Sequence, residues 1–295
     1  MIRPAIWRKL VTRTATAAAA ALLAVACSTD LGPSSNPSSG TSSPPVPPAR
    51  LTYALPDDPV RMLFPATGAE TRWTQGLSVF GQQVARTVEA ACARNGGIGL
   101  PEQTPLAFIP FSEIPDLDFL AQHGFGQSAE VPSPAASPAP PRSGSPTATR
   151  PCRAQGAAAA RTVRDAYAPL QNRWFRELAS LRRDPATVRA SRTLPDCLAG
   201  HGFNVRDEDG FFGLVDSRLL TAAPADFPYV DRELGHAYAA CMRPVEAVRE
   251  PARLRLRTRF LAAHADQAHE LRKTLIPSLR RAEQRHSLRL CFPAP

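Results

Sequence analysis

Two short stretches collect the side chains that could do chemistry. "HADQAHE" sets His264, Asp266, His269 and Glu270 close together in the chain. "VRDEDGFFG" supplies Asp207, Asp209, Gly210 and Asp216 at the third, fifth, sixth and twelfth positions of a calcium-type loop. Neither pattern completes itself. The two histidines are five apart, about 140° around a helix, so they share no face for a metal. The first loop position is Val205, which cannot ligate a hard cation. His123, His201 and His236 lie beside glycines or at expected helix ends. There is no HExxH, GxSxG, phosphate-cradling Walker loop or GxGxxG. No catalytic residue, metal ligand or cofactor is therefore singled out, and the reading leans away from an enzyme.

The cysteines carry more. "ALLAVAC" ends an apolar run of about a dozen residues on Cys27, behind Arg3, Arg8, Lys9 and Arg13. That run falls short of the 20 or so residues a membrane span needs and suits a secretory signal. Ala24-Val25-Ala26-Cys27 resembles the bacterial lipobox. The resemblance implies a lipoprotein: diacylation (palmitate-type chains) of the Cys27 sulfur, removal of residues 1–26 and acylation of the new amino terminus. Multiple chains hold a protein durably where one does not. Residues 27–50, rich in Ser, Pro and Gly, read as a disordered tether. The expected location is the cell membrane, on its outer, extracytoplasmic side in the cell envelope.

In an oxidising compartment the remaining cysteines are better disulfide partners than metal ligands. "CARNGG" at 92–97 and "CLAGHG" at 197–202 share a C-x4-G pattern near a helix end, and each has a later cysteine near a helix. Two halves with their own staples follow, Cys92–Cys152 and Cys197–Cys241, and Cys291 is left odd: a free thiol, an intermolecular bridge or a sign of different pairing. "ACARNGG", "RPCRAQG", "DCLAGHGF", "AYAACM" and "FLAQHGFG" together resemble a family of uncharacterised exported proteins and lipoproteins of actinobacteria. Their helices carry C-M-x-x-x-G-[FY] motifs. The likeness spans most of residues 73–287 and implies exported helical proteins with paired cysteines; it implies no particular activity. Ala93, Gly97 and Ile98 depart from the family pattern, and Cys291 is extra.

These residues need elements to hold them, and the apolar spacing is helical. Trp73, Leu77, Phe80, Val84, Val88 and Ala91 form one stripe, stopped by Asn95-Gly96-Gly97. Val163, Tyr167, Leu170, Trp174, Leu178 and Leu181 form another, and Asp184-Pro185 reads as an N-cap and first residue of a third helix. A short helix is expected over 231–242. A long one is expected from about 250 to 286, striped by Leu254, Leu261, Ala265, Ala268, Leu275, Leu279 and Ala282 and kinked at Pro277. No segment reads as a strand. The fold class is mostly α: a disulfide-stapled bundle over 51–295, ending in a long C-terminal helix. The Pro-rich tract 131–151 reads as a loop unable to form helix, enclosed by the first staple.

The formal charge of +9 is concentrated. Twelve basic and five acidic side chains lie in residues 243–289, and the four charges before Cys27 leave with the signal. Arg253, Arg255, Arg257 and Arg259 are the candidate contacts for an anionic surface, either lipid headgroups or a cell-wall polymer. Nucleic acid is not an expected partner outside the membrane. The leading expectation is a non-catalytic binding or accessory lipoprotein of unknown ligand. An envelope hydrolase and a structural partner for another exported protein, docking through the long helix, are the alternatives.

Overall fold

A computed structural model of the chain describes residues 49–100, 106–108, 113–126, 131 and 146–294. Cys27, the signal segment and the tether as far as residue 48 lie outside the described residues, as does most of the 131–151 tract. The folded unit described below belongs to Pro45–Pro295.

The described chain is mostly helical. Strand β1 (Arg50–Thr52) leads into a short 3-10 turn (Pro59–Met62) and then α1 (Gly68–Asn95). Next come α2 (Leu117–His123), α3 (Pro146–Arg164), α4 (Ala168–Ser180), α5 (Pro185–Ser191), α6 (Leu194–Gly200) and α7 (Glu208–Thr221). Two longer helices, α8 (Phe227–Ala263) and α9 (Ala265–His286), and strand β2 (Phe292–Ala294) complete it.

The caps explain several boundaries. The Glu70 carboxylate accepts from the Ala66 and Thr67 N–H groups at 2.8 and 3.3 Å, closing the start of α1. Asp184 accepts from the Ala186 and Thr187 N–H groups, both at 3.0 Å, with Pro185 in the first turn of α5 as expected. Gly97, at φ +63°, takes the chain out of α1 in a left-handed conformation open to glycine.

Of three apolar clusters among the described residues, the smallest gathers Ala49, Val79, Phe108, Phe119, Val131 and Cys291, and α8 runs through the two larger, the two main cores. In the first, Phe64, Trp174 and Phe260 meet with ring centroids 5.3–6.5 Å apart. Leu77, Phe80 and Val84 of α1 and Leu271, Leu275 and Leu279 of α9 surround them. In the second, Phe211 stacks on Tyr238 at 5.5 Å among Leu120, Leu198, Phe203, Leu234 and Met242. Each core has its staple. Cys92–Cys152 ties α1 to α3, and Cys197–Cys241 ties α6 to α8. The pairing inferred from the sequence is the one present. Cys291 is a free thiol, buried, and burial raises its pKa. A buried thiol of this kind is inert.

Four expectations need correction. First, β1 and β2 pair antiparallel, Arg50 opposite Ala294, Leu51 opposite Pro293 and Thr52 opposite Phe292. Ala49 is buried and Arg50 is in a strand, so the folded unit claims the end of the supposed tether. Three-residue strands are too short for alternation to show. Second, α3 begins at Pro146, and Pro151 and Cys152 are helical, so residues 146–151 are not loop. Pro146 falls in the first turn, where N–H groups lack intrahelical partners; Pro151 lies inside the helix, and the staple and the approach of Gly156 to the Ala85 carbonyl hold α3 on α1.

Third, the helix expected at 231–242 and the front of the long helix are one element. α8 runs unbroken through Pro244 and Pro251. Packing against both cores outweighs the hydrogen bonds those prolines forfeit. The long helix is instead interrupted at His264, where φ −124° and ψ 35° leave the helical region, and Pro277 lies inside α9. Fourth, the stripe on α8 is out of phase with the expected one. Leu256 and Phe260 are buried, whereas Leu254 is 37 % exposed.

Candidate functional site

The arginines of "RLRLRTRF" divide by direction. Arg255 and Arg259 are exposed. Arg253 is 3 % exposed; its Nε donates to the Ala66 carbonyl at 2.8 Å, and its terminal nitrogens donate to both carboxylate oxygens of buried Glu246. Arg257 donates to Glu70 and, at 3.3 Å, to the Phe64 carbonyl. The four-arginine anionic surface is therefore corrected: Arg253 and Arg257 are interior fasteners, and only Arg255 and Arg259 face outward. Alternation along a helix puts residues i and i+4 on one side and i+2 and i+6 on another.

Arg253 and Arg257 belong to a longer row along α8, with Glu246 and Arg249. The Arg249 Nη2 donates to Glu208 at 3.2 Å and to the Ser191 hydroxyl at 3.0 Å, while its Nη1 lies 3.7 Å from Glu246. The Tyr238 hydroxyl donates to the other Glu208 oxygen at 2.6 Å. Burial first, then the Glu208 charge, pushes the Tyr238 pKa well above the ordinary phenol value, so it remains a donor. The alternating charges Glu208, Arg249, Glu246 and Arg253 neutralise one another along the row and tie α5, α7 and α8 to the segment before α1.

This network forms the inner wall of a cleft of about 510 Å³ between α5, α6, the start of α7 and α8. Leu178, Leu181, Val188, Leu194 and Phe212 supply an apolar lining. The volume suits a small organic molecule. Its acids are largely engaged. Glu208 is held as described, Glu113 pairs with Arg182 at 2.8 Å, and Asp207 caps α7 by accepting from the Gly210 N–H at 2.8 Å. Thr187 is buried in the lining and its hydroxyl has no hydrogen-bond partner. Arg192 and Arg206 stand exposed at the mouth; among the described residues neither makes an ion pair.

Of the acids and histidines weighed from the sequence, Asp207 and Asp209 line the cleft and the others lie elsewhere. Asp207 and Asp209 begin a helix, which the calcium loop would need as open coil. His264 lies at the break between α8 and α9, its ring 4.6 Å from Phe260, while Asp266, His269 and Glu270 are exposed. The ligating atoms of Cys197, His201 and Cys241 lie within 4.8 Å of one another. Both sulfurs, however, are joined in the disulfide and are not thiolates. His123 is buried at the end of α2, 4.7 Å from Phe119, with neither ring nitrogen partnered. Burial, and then Arg72, lower its pKa, against a smaller opposing pull from Asp116.

The cleft itself escaped sequence reasoning. Its polar residues come from separate elements with no common period, and the only local signals were the caps Asp184 and Asp207. The fold and site together define a two-staple helical unit with a lateral amphipathic cleft. No protein-family model, curated protein or solved structure matches the chain. Among the described residues no helix is long and apolar enough to cross a membrane.

Proposed function

We propose that this protein is a non-catalytic lipoprotein of the cell envelope, anchored through Cys27 at the outer face of the cytoplasmic membrane, whose helical unit binds a small ligand in the cleft beside α8. The observation that carries the binding part is the cleft: a built, half-apolar cavity in which three of the four lining carboxylates, Glu113, Asp207 and Glu208, are committed to structural partners. A hydrolase needs a nucleophile within hydrogen-bond reach of a base, and those side chains offer none. The anchor rests on the lipobox-like run ending at Cys27, and the two disulfides fit an oxidising compartment. Docking through the long helix is less favoured. Tyr229, Val248 and Leu254 are the exposed large apolar residues of α8; Tyr229 and Leu254 share a face but lie roughly 37 Å apart along the axis, and Val248 is turned about 100° away, so they form no continuous stripe.

The test is made on membranes of the native host. Radiolabelled palmitate should enter the wild-type chain, Cys27→Ala should move it to the soluble fraction, and a small molecule should accompany the protein through purification at near one-to-one ratio. A Cys27→Ala form still held at the membrane, or turnover of an ester, peptide or glycoside by the pure protein, would refute the reading.

A further inference from the structure

Resting on the reading of the cleft as a ligand site, we infer the class of ligand: an amphipathic anion, with an apolar body on Leu178, Leu181, Val188, Leu194 and Phe212 and a carboxylate or phosphate head at Arg192 and Arg206. Which charges are already engaged decides the class. Of the five arginines lining the cleft, Arg249 and Arg253 are used by Glu208 and Glu246, and Arg182 by Glu113. Two cations remain at the mouth. Against them stand Asp207 and Asp209, which occupy the cap and first turn of α7, where the helix dipole and free N–H groups already stabilise negative charge. Formal charge balances there, and what favours an anion is that Arg192 and Arg206 make no ion pair among the described residues, whereas Asp207 is engaged in the α7 cap, and both arginines line the same cavity as the apolar side chains.

Arginine is suited to the head group, since its planar fork matches carboxylate and phosphate oxygens. The Thr187 hydroxyl, buried in the same wall without a partner, gives a further polar group that a ligand oxygen would satisfy. The inner network adds rigidity: Arg249 is held by Ser191, Glu208 and Glu246, so the apolar wall needs little reorganisation on binding.

The experiment is titration calorimetry on the full chain carrying Cys27→Ala, purified without detergent and with both disulfides intact. The probes are dodecanoate, dodecyl phosphate, dodecanol, dodecyltrimethylammonium and inorganic phosphate, each below any micellar concentration. Dodecanoate and dodecyl phosphate should bind one-to-one and displace each other. The neutral alcohol, the cationic amphiphile and phosphate alone should bind at least about ten-fold more weakly. The tighter of the two anions then distinguishes a fatty carboxylate from a lipid phosphate as the source.

Two sets of substitutions complete the test. Arg192→Gln with Arg206→Gln alters only exposed, unpaired side chains and should leave the urea midpoint unchanged. It should weaken both anions about ten-fold without affecting dodecanol. Val188→Glu, at a 40 % exposed position, should weaken the anions similarly. Equal or tighter binding of the cationic amphiphile, or anion binding indifferent to the double substitution, overturns the ligand class but leaves the binding reading intact if a native molecule still co-purifies. Absence of any saturable binding by the anions overturns the inference outright, whereas the anchor stands or falls on Cys27 alone.

Discussion

Arg253 and Arg255 are two residues apart on one helix, and replacing each by methionine should have very different consequences. Methionine keeps the helix propensity and most of the apolar stem, so the contrast isolates the guanidinium. Arg255→Met removes an exposed charge and should change stability by no more than about 0.5 kcal/mol. Arg253→Met removes the 2.8 Å bond to the Ala66 carbonyl and the bonds to both Glu246 oxygens, in a site 3 % exposed. Breaking a buried pair from one side costs about 3–5 kcal/mol. Here Arg249, 3.7 Å from Glu246, retains part of the compensation, so the lower end, about 3 kcal/mol, is expected. For a folded unit of this size that lowers the melting temperature by about 6–12 °C. Glu246→Gln combined with Arg253→Met should recover part of the loss, because no uncompensated buried charge then remains. Urea unfolding with intact disulfides, followed by far-ultraviolet circular dichroism, measures all four proteins. If Arg253→Met and Arg255→Met shift the midpoint equally, the assignment of α8's inner face is wrong.

Gly235→Ala tests the crossing of α2 and α8: the added Cβ would lie 2.3 Å from the Leu120 carbonyl oxygen, which is backbone and cannot rotate away. A loss of about 1–3 kcal/mol is expected, whereas an unchanged urea midpoint would remove the close contact from the account. His123 makes a prediction about pH. Its pKa in the folded protein is lowered by burial and Arg72, so the unfolded chain takes up its proton first as pH falls. The stability it contributes is complete above pH ~6.5 and drains away as pH drops from there through the folded value. Comparing urea midpoints at pH 7 and 5, His123→Met should show a smaller fall than wild type; an identical fall would mean that His123 titrates normally.

Local chemistry was readable wherever a boundary or bond depends on neighbours in the chain. Asp184-Pro185 and Asn95-Gly96-Gly97 carry their own stop and start signals. The repeated C-x4-G placed Cys92 and Cys197 in equivalent surroundings, which was enough to pair each with the next helical cysteine. What depended on distant packing was misread. A helix through Pro244 and Pro251 is kept by contacts with two cores, and the break at His264 carries no glycine or proline to announce it. The stripe on α8 was misphased for a definite reason: with leucine and arginine alternating, the assumption that leucine faces inward put Leu254 inside and Arg253 outside. The true inner face is set by an acceptor 187 residues away, the Ala66 carbonyl.

That reversal changes what the arginine content means. In a chain with only two lysines, arginine abundance reads first as composition and then as a surface for anions. The row Glu246, Arg249, Arg253 and Arg257 gives a third use. A buried cation must keep several directional bonds at once, and a guanidinium with five donors in a fixed plane can join a carboxylate and a carbonyl simultaneously, as Arg253 and Arg257 both do. A lysine ammonium at either position would lack the forked reach. The row lies where α8 passes from the second core to the first, so it fastens the segment before α1 to the helix that also walls the cleft. The cleft's inner wall and the joint between the cores are then one set of bonds, and its arginines are unavailable to a ligand. Recognition of the anion proposed above is left to Arg192 and Arg206, which make no ion pair among the described residues.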